Sequence, residues 1–204
     1  CKGPIFSGWM TQGPRVAEFE KMFADIHQVE HAIAVSNCTT ALHIAVVACG
    51  VGPGDEVIVP ANTYIASVLG ITENGATPIF VEPDEYYNLD ASKIEEKITS
   101  KTKALLVVHL YGQAANMVKV KEIADKHNLY LVEDCAQSHG ACFDGKVTGS
   151  WGDIGCFSFY PTKNIGAFGD SGAIVTDNVE LYEKIKMLRN YGSKVKYQNE
   201  ILGI

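Results

Sequence analysis

The chain has 204 residues, 47% hydrophobic and 20% charged, enough apolar side chain for one compact domain with a sizeable core. Its 17 Lys and Arg against 24 Asp and Glu give a formal charge of -7 at pH 7, the wrong sign for a surface that holds nucleic acid by its phosphates. No apolar run reaches membrane-spanning length and the opening CKGPIFSGWM lacks the plan of a signal peptide, so membrane is excluded as a partner and a cytoplasmic protein is expected.

The first helical pattern runs from Pro14 to His27, with Val16, Phe19, Phe23 and Ile26 on one face and Pro14 in the first turn. Strand AIAVS (32–36) then passes through SNCTT (36–40) into a helix over Thr40 to Cys49 that is apolar nearly all round and should be buried. A strand feeding a polar turn at a helix start aims amide hydrogens, hydroxyls and the positive dipole end at one spot, which suits a phosphate. Thr39 and Thr40 are the expected donors, the plainer alternative being that a Thr only caps the helix.

Strand EVIVP (56–60) is followed by PANTYIAS, where Tyr64 is either a buried core aromatic or a ring laid on a flat cofactor. TPIFVEP (77–83) and ALLVVHL (104–110) are the next two strands, and Asn116 caps MVKVKEIADKH, whose stripe is Met117, Val120, Ile123 and Ala124. YLVEDC (130–135), IGCFSF (154–159) and GAIVTD (172–177) complete a set of seven strands, after which Asn178 caps a helix packed through Leu181, Ile185 and Leu188. Most strands are continuously apolar and several are separated by helices, the pattern of an α/β fold whose mainly parallel sheet is covered on both faces.

Six cysteines at 1, 38, 49, 135, 142 and 156 include no CxxC and no zinc-like spacing; Cys49, Cys135 and Cys156 read as buried free thiols. The string HQVEH (27–31) matches a zinc-protease pattern, but His31 opens a strand, so the two histidines do not share a helix face and no metal is expected. No GxGxxG follows the first strand and no GxxxxGK[ST] occurs, which excludes the dinucleotide and phosphate-loop alternatives.

Two residues carry the chemistry. Lys163 lies after Pro161 in the glycine-rich stretch FSFYPTKNIGAFGDSGAIVTD, and Asp134 closes a strand 29 residues earlier. An amine and a carboxylate at the ends of neighbouring strands are what a pyridoxal 5'-phosphate enzyme needs. The amine forms a Schiff base with the cofactor aldehyde, and the carboxylate keeps the pyridine nitrogen protonated so that the ring withdraws electrons. Asp134 sits at the strand edge where parallel sheets bind ligands, and buried there it must find a cation or donors. Gln137 is placed to donate to the cofactor's phenolate oxygen; the alternatives are a helix cap for Asp134 and a solvated loop residue for Gln137. Phe157, Phe159, Ile165 and Phe168 bracket Lys163 and should desolvate it, favouring a nucleophilic amine. Ser158 completes the set, and Gly166, Gly169 and Gly172 should let backbone approach a bulky ligand.

The segments SNCTTALH, PANTYIAS, VHLYGQAANM, VEDCAQSHGA, GSWGDIGCFSFYPTKNIGAFGDSGAIVT and LRNYGS, in this order over nearly the whole chain, resemble the DegT-type nucleotide-sugar aminotransferases, fold type I pyridoxal phosphate enzymes. The resemblance implies that residues 1–204 form the large cofactor-binding domain, a three-layer sandwich, and that a smaller C-terminal domain follows in the family. It implies Lys163 as the covalent carrier of the cofactor, Asp134 on the pyridine nitrogen, Gln137 on the phenolate oxygen, Tyr64 as the stacking ring, and Thr39, Thr40 and Ser158 on the phosphate. The implied reaction moves an amino group from glutamate to a keto group on a nucleotide-linked sugar. Lys163 argues for transfer, because similar sugar dehydratases hold histidine there, and NIGAFGDSGA with HLYGQAANM upstream favours the C3 keto position. The family further implies a homodimer with sites shared across the interface. Ser171 departs from the glycine many members have. The competing readings are a noncatalytic cofactor-binding or sensor protein, and another fold type I activity such as a lyase or a desulfurase; for the last, none of the six cysteines sits in a mobile loop.

Overall fold

The computed structural model describes residues 2–9, 11–195 and 198–204, so Cys1 lies outside the described residues. The chain opens with α1 (Lys2–Ser7), which buries none of its residues, and α2 (Pro14–His27), which ends at Gln28 in the left-handed region. The buried residues of α2 are Phe23, Ala24 and His27, while Ile26 is 62% exposed. The expected stripe therefore holds at Phe23 and is displaced by one position at its end, because the aromatic cluster of Phe157 and Phe159 takes the His27 ring, 4.5 Å from that of Phe157.

From there the elements alternate: β1 (His31–Val35), α3 (Cys38–Ala48), β2 (Glu56–Pro60), α4 (Ile65–Thr72), β3 (Thr77–Val81), β4 (Thr102–Val108), α5 (Met117–His127) and β5 (Tyr130–Asp134). A small hairpin, β6 (Cys142–Phe143) and β7 (Lys146–Val147), precedes β8 (Ile154–Ser158), β9 (Gly172–Thr176), α6 (Val179–Arg189) and a last pair, β10 (Ser193–Val195) and β11 (Gln198–Asn199). All seven expected strands form one sheet in the order β1-β9-β8-β5-β4-β2-β3. β3, β2, β4, β5 and β8 pair in parallel, and β9 runs antiparallel to both β8 and β1. β1 consequently points the same way as the parallel strands, and its end lies along the same edge of the sheet as the ends of β2, β4, β5 and β8.

Strand alternation divides the core into two sides. Ala104, Leu106 and Val108 of β4 face the cluster built by α3 and α6, whereas Leu105 and Val107 face Met117, Val120 and Ala124 of α5. This three-layer arrangement explains the continuous apolar strands, since both faces lose their water. Asn116 and Asn178 cap α5 and α6 as expected, each accepting from backbone amides in the first turn. Two glycines are required by close approach: a Cβ at Gly70 would meet Leu42 Cβ at 2.9 Å, where α4 crosses α3, and one at Gly172 would meet the Asn37 carbonyl carbon at 2.6 Å. No helix among the described residues is long and apolar enough to cross a membrane.

Candidate active site

β1 delivers the chain to α3 at the shared strand edge, and the helix begins at Cys38, two residues before the expected Thr40. Asn37 is the cap: its Oδ1 accepts from the Thr40 amide at 2.8 Å. The Thr40 hydroxyl accepts from Ser36 Oγ at 3.2 Å and Thr40 does not line the cavity, so this side chain secures the turn. The amides of Cys38 and Thr39 are left without a protein acceptor among the described residues, at the positive end of an eleven-residue helix.

Asp134 ends β5 at 5% exposure. Its Oδ2 accepts from the Ser67 hydroxyl at 2.8 Å and its Oδ1 from the Ala136 amide at 3.0 Å. Burial pushes the carboxyl above its ordinary range; the Ser67 hydroxyl, the Ala136 amide and the charges of His109 and Lys163 act the other way. No cationic side chain among the described residues forms an ion pair with it. A buried carboxylate with free lone pairs and no ion-pair partner is matched to a protonated ring nitrogen.

Gln137 follows on the loop after β5. Its Oε1 accepts from the Tyr111 amide at 2.7 Å, which orients the side-chain NH2 as the remaining donor. Ser158 ends β8 at 6% exposure and its Oγ accepts from the Tyr160 amide at 3.3 Å, so its own proton is free to donate. Tyr64 is the residue before α4 and is 75% exposed, so it belongs to the cavity wall and not to the core.

Lys163 stands in the turn after β8, half-buried, its amide bonded to the Tyr160 carbonyl at 2.8 Å. The apolar bracket expected around it divides. Phe157 and Phe159 belong to the core, while Ile165 is 56% and Phe168 fully exposed. The period-2 strand carries the first pair to the far face and the loop turns the second pair outward, so neither pair encloses the amine. The glycines likewise serve the chain and not a ligand: a Cβ at Gly166 would meet the Pro161 carbonyl oxygen at 2.4 Å, and Gly169 has a φ of +136°.

The structure brings Thr39, Tyr64, Asp134, Gln137, Ser158 and Lys163 to one cavity of about 420 Å³ and leaves Thr40 outside it. Sequence reasoning missed Thr63, Ser67 and His109. Thr63 and Ser67 come from the start of α4, a helix whose short apolar run IASVLGIT has no helical period to announce it. His109 accepts from the Ala115 amide at Nδ1 (3.1 Å), so its Nε2–H donates to Glu133 Oε2 at 2.9 Å. His109, Glu133 and Cys135 bring ligand-type atoms within 4.8 Å of one another. The Glu133 carboxylate, however, also accepts from the amides of Gly149, Trp151 and Gly152, a donor set that neutralises it without an ion. Cys38 also lines the cavity, but burial pushes its thiol well above the usual range, against a desulfurase-type nucleophile.

Known proteins match the chain in sequence and in fold. A family model described as the DegT/DnrJ/EryC1/StrS aminotransferase family matches residues 3–204. The chain is 55% identical over 199 residues to a dTDP-3-amino-3,6-dideoxy-alpha-D-galactopyranose transaminase of Aneurinibacillus thermoaerophilus, covering 97% of this chain and 55% of that protein. A structure of S. venezuelae DesV in complex with a ketimine intermediate superposes with a TM-score of 0.92 at 50% identity, covering 94% of this chain and 52% of the other. The Bacillus subtilis protein NtdA with bound cofactor PMP superposes with a TM-score of 0.92 at 37% identity, over 98% of this chain and 46% of the other. The chain thus spans about half the length of the relatives it matches.

Proposed function

The chain belongs to the DegT/DnrJ/EryC1/StrS aminotransferase family, and from that premise we propose that it is the cofactor-binding part of a nucleotide-sugar aminotransferase that uses pyridoxal 5'-phosphate. The observation that carries this reading is the convergence of Lys163 and Asp134 on one cavity at the strand edge. The residues fit the cofactor: the free amides at the start of α3 with Thr39 and Ser158 suit a phosphate, Asp134 suits the pyridine nitrogen, the Gln137 amide suits the phenolate oxygen, and the Tyr64 ring suits the ring face. When bound, pyridoxal phosphate supplies an electrophilic carbon and an electron-withdrawing ring.

Lys163 supplies the amine that anchors the cofactor, and once displaced by the amino donor its Nζ takes and returns the proton that transfer requires. Asp134 holds the positive charge on the ring nitrogen. Thr40 lies outside the cavity and braces the turn through its contacts with Asn37 and Ser36. The amino acceptor is a keto-sugar carried on a nucleoside diphosphate, aminated at C3, and the donor is glutamate; the name of the Aneurinibacillus relative supports a dTDP-linked 3-keto-sugar.

Residues 1–204 are the large domain of this enzyme, and the extra length of the relatives supports a smaller C-terminal domain beyond it. The working unit is a homodimer with shared sites, a reading supported by the exposed Tyr64, Tyr111 and Tyr160 at or beside the cavity. A cytoplasmic setting suits the free thiols of Cys38, Cys49, Cys135, Cys142 and Cys156.

Borohydride reduction of the cofactor-loaded protein followed by peptide mapping tests the core of the proposal. Label on Lys163 is the expected result; label on another lysine, or none, overturns it. Incubating the pyridoxamine form with a panel of nucleotide keto-sugars should then yield the 3-amino product, and amination confined to a different carbon would overturn the C3 assignment.

A further inference from the structure

Asp134 is not held by its strand alone. Ser67 lies in the first turn of α4, fully buried, and its hydroxyl donates to Asp134 Oδ2 at 2.8 Å. Since that proton is committed to Asp134, the 2.8 Å contact between Ser67 Oγ and Thr63 Oγ1 is made with Thr63 as donor, in preference to the Tyr64 carbonyl, which lies farther from Thr63 Oγ1 at 3.4 Å. Thr63 itself lines the cavity. The result is an oriented relay, Thr63 to Ser67 to Asp134, in which each hydroxyl polarises the next. The Ala136 amide fixes the other carboxylate oxygen at 3.0 Å, so the plane of the carboxylate is set from both sides and each oxygen keeps a lone pair for a ligand. Tyr64 starts the same helix, and the Ser67 amide bonds to its carbonyl at 3.1 Å. One helix start thus places both the ring proposed to face the cofactor and the hydroxyl that steers its partner carboxylate.

We propose that Ser67, oriented by Thr63, is a positioning residue that aims the Asp134 carboxylate at the cofactor's ring nitrogen. Ser67 does not touch the cofactor and acts through Asp134. The proposal rests on the cofactor reading above, and the measurement separates the two.

The test uses the full-length protein with two probes, pyridoxal 5'-phosphate and its deaza analogue, in which carbon replaces the ring nitrogen. Ser67→Ala should weaken pyridoxal phosphate binding roughly tenfold, the loss of one hydrogen bond to a charged acceptor. It should leave affinity for the deaza analogue unchanged, which a general loosening of the pocket would not do. In an Asp134→Ala background the same substitution should have no further effect. Thr63→Val should weaken pyridoxal phosphate binding in the same direction and by less, and Ser67→Cys, a weaker donor of similar shape, should fall between Ser67→Ala and the unsubstituted protein. If Ser67→Ala does not fold, Ser67→Cys and Thr63→Val decide by the same two probes. Unchanged affinity, or equal losses for the two probes, overturns the role of Ser67 alone. Failure of the unsubstituted protein to bind pyridoxal phosphate overturns the cofactor reading and this proposal with it.

Discussion

At Asp134 the cost of burial opposes the proposed role in cofactor binding. Its carboxyl is raised by burial, so in the folded protein it holds a proton more tightly than in the unfolded chain. Folding therefore carries a cost at neutral pH that shrinks as pH falls toward the folded value. Asp134→Asn should accordingly raise the melting temperature of the cofactor-free protein at pH 7 while weakening pyridoxal phosphate binding, a pair of changes readable by scanning calorimetry and absorbance titration. A lower melting temperature would mean that the Ser67 and Ala136 bonds outweigh desolvation. Glu133, the next residue back, faces the other way and differs in kind. Three amides from the loop between β7 and β8, and His109 just beyond β4, satisfy its buried carboxylate oxygens. Glu133→Ala leaves those donors orphaned and should cost about 3–5 kcal/mol in chemical denaturation. The pair Glu133 and Asp134 was legible as a strand end, but which carboxylate faces the cavity depends on the phase of β5 in the sheet.

At the scale of elements, α3 and α2 make contrasting cases. α3 owes its start to Asn37, and Asn37→Ala should lower stability by about 1 kcal/mol and loosen phosphate binding, because the Thr40 amide loses its acceptor. α2 brings His27 into the aromatic cluster with Phe23 and Phe157. Its Nδ1 donates to the Phe23 carbonyl at 3.0 Å, Nε2 has no partner among the described residues, and desolvation by burial lowers its pKa below 6.5. His139, packed near the same Phe157 ring, is lowered for the same reason. Both groups bind protons more weakly in the folded state, so their contribution to stability is intact above about pH 6.5 and is lost as pH falls through the depressed folded values. The melting temperature should drop on acidification below pH 6.5, and His27→Phe should reduce that slope. Capping residues, Pro14 and apolar stripes made these helices readable. The start of α3 was misplaced by two residues because CTT has no strong helical pattern, and α4 was missed because an eight-residue apolar run reads as strand as easily as helix.

For the molecule as a whole, the half-length relationship to its relatives and the exposed ring side chains near the cavity bear on one measurement. Light scattering on the full-length protein should give twice the subunit mass, and a monomer that turns over normally would refute the shared-site reading. Leu106→Ala, in the layer between β4 and α3, should cost about 2–5 kcal/mol without moving the absorbance of the bound cofactor, since Leu106 is fully buried in the core and does not itself line the cavity.

Seven strands, the covered sheet, three of the capped or Pro-started helices and six of the seven candidate residues that meet at the cavity could be read from local pattern, because apolar runs, caps and polar strand ends are properties of neighbouring residues. The relay from Thr63 through Ser67 to Asp134 could not, nor could the satisfaction of Glu133 or the outward turn of Ile165 and Phe168. Those depend on contacts between residues up to 67 positions apart, on which face of a strand each side chain meets, and on a helix crossing that only packing of α4 against α3 establishes.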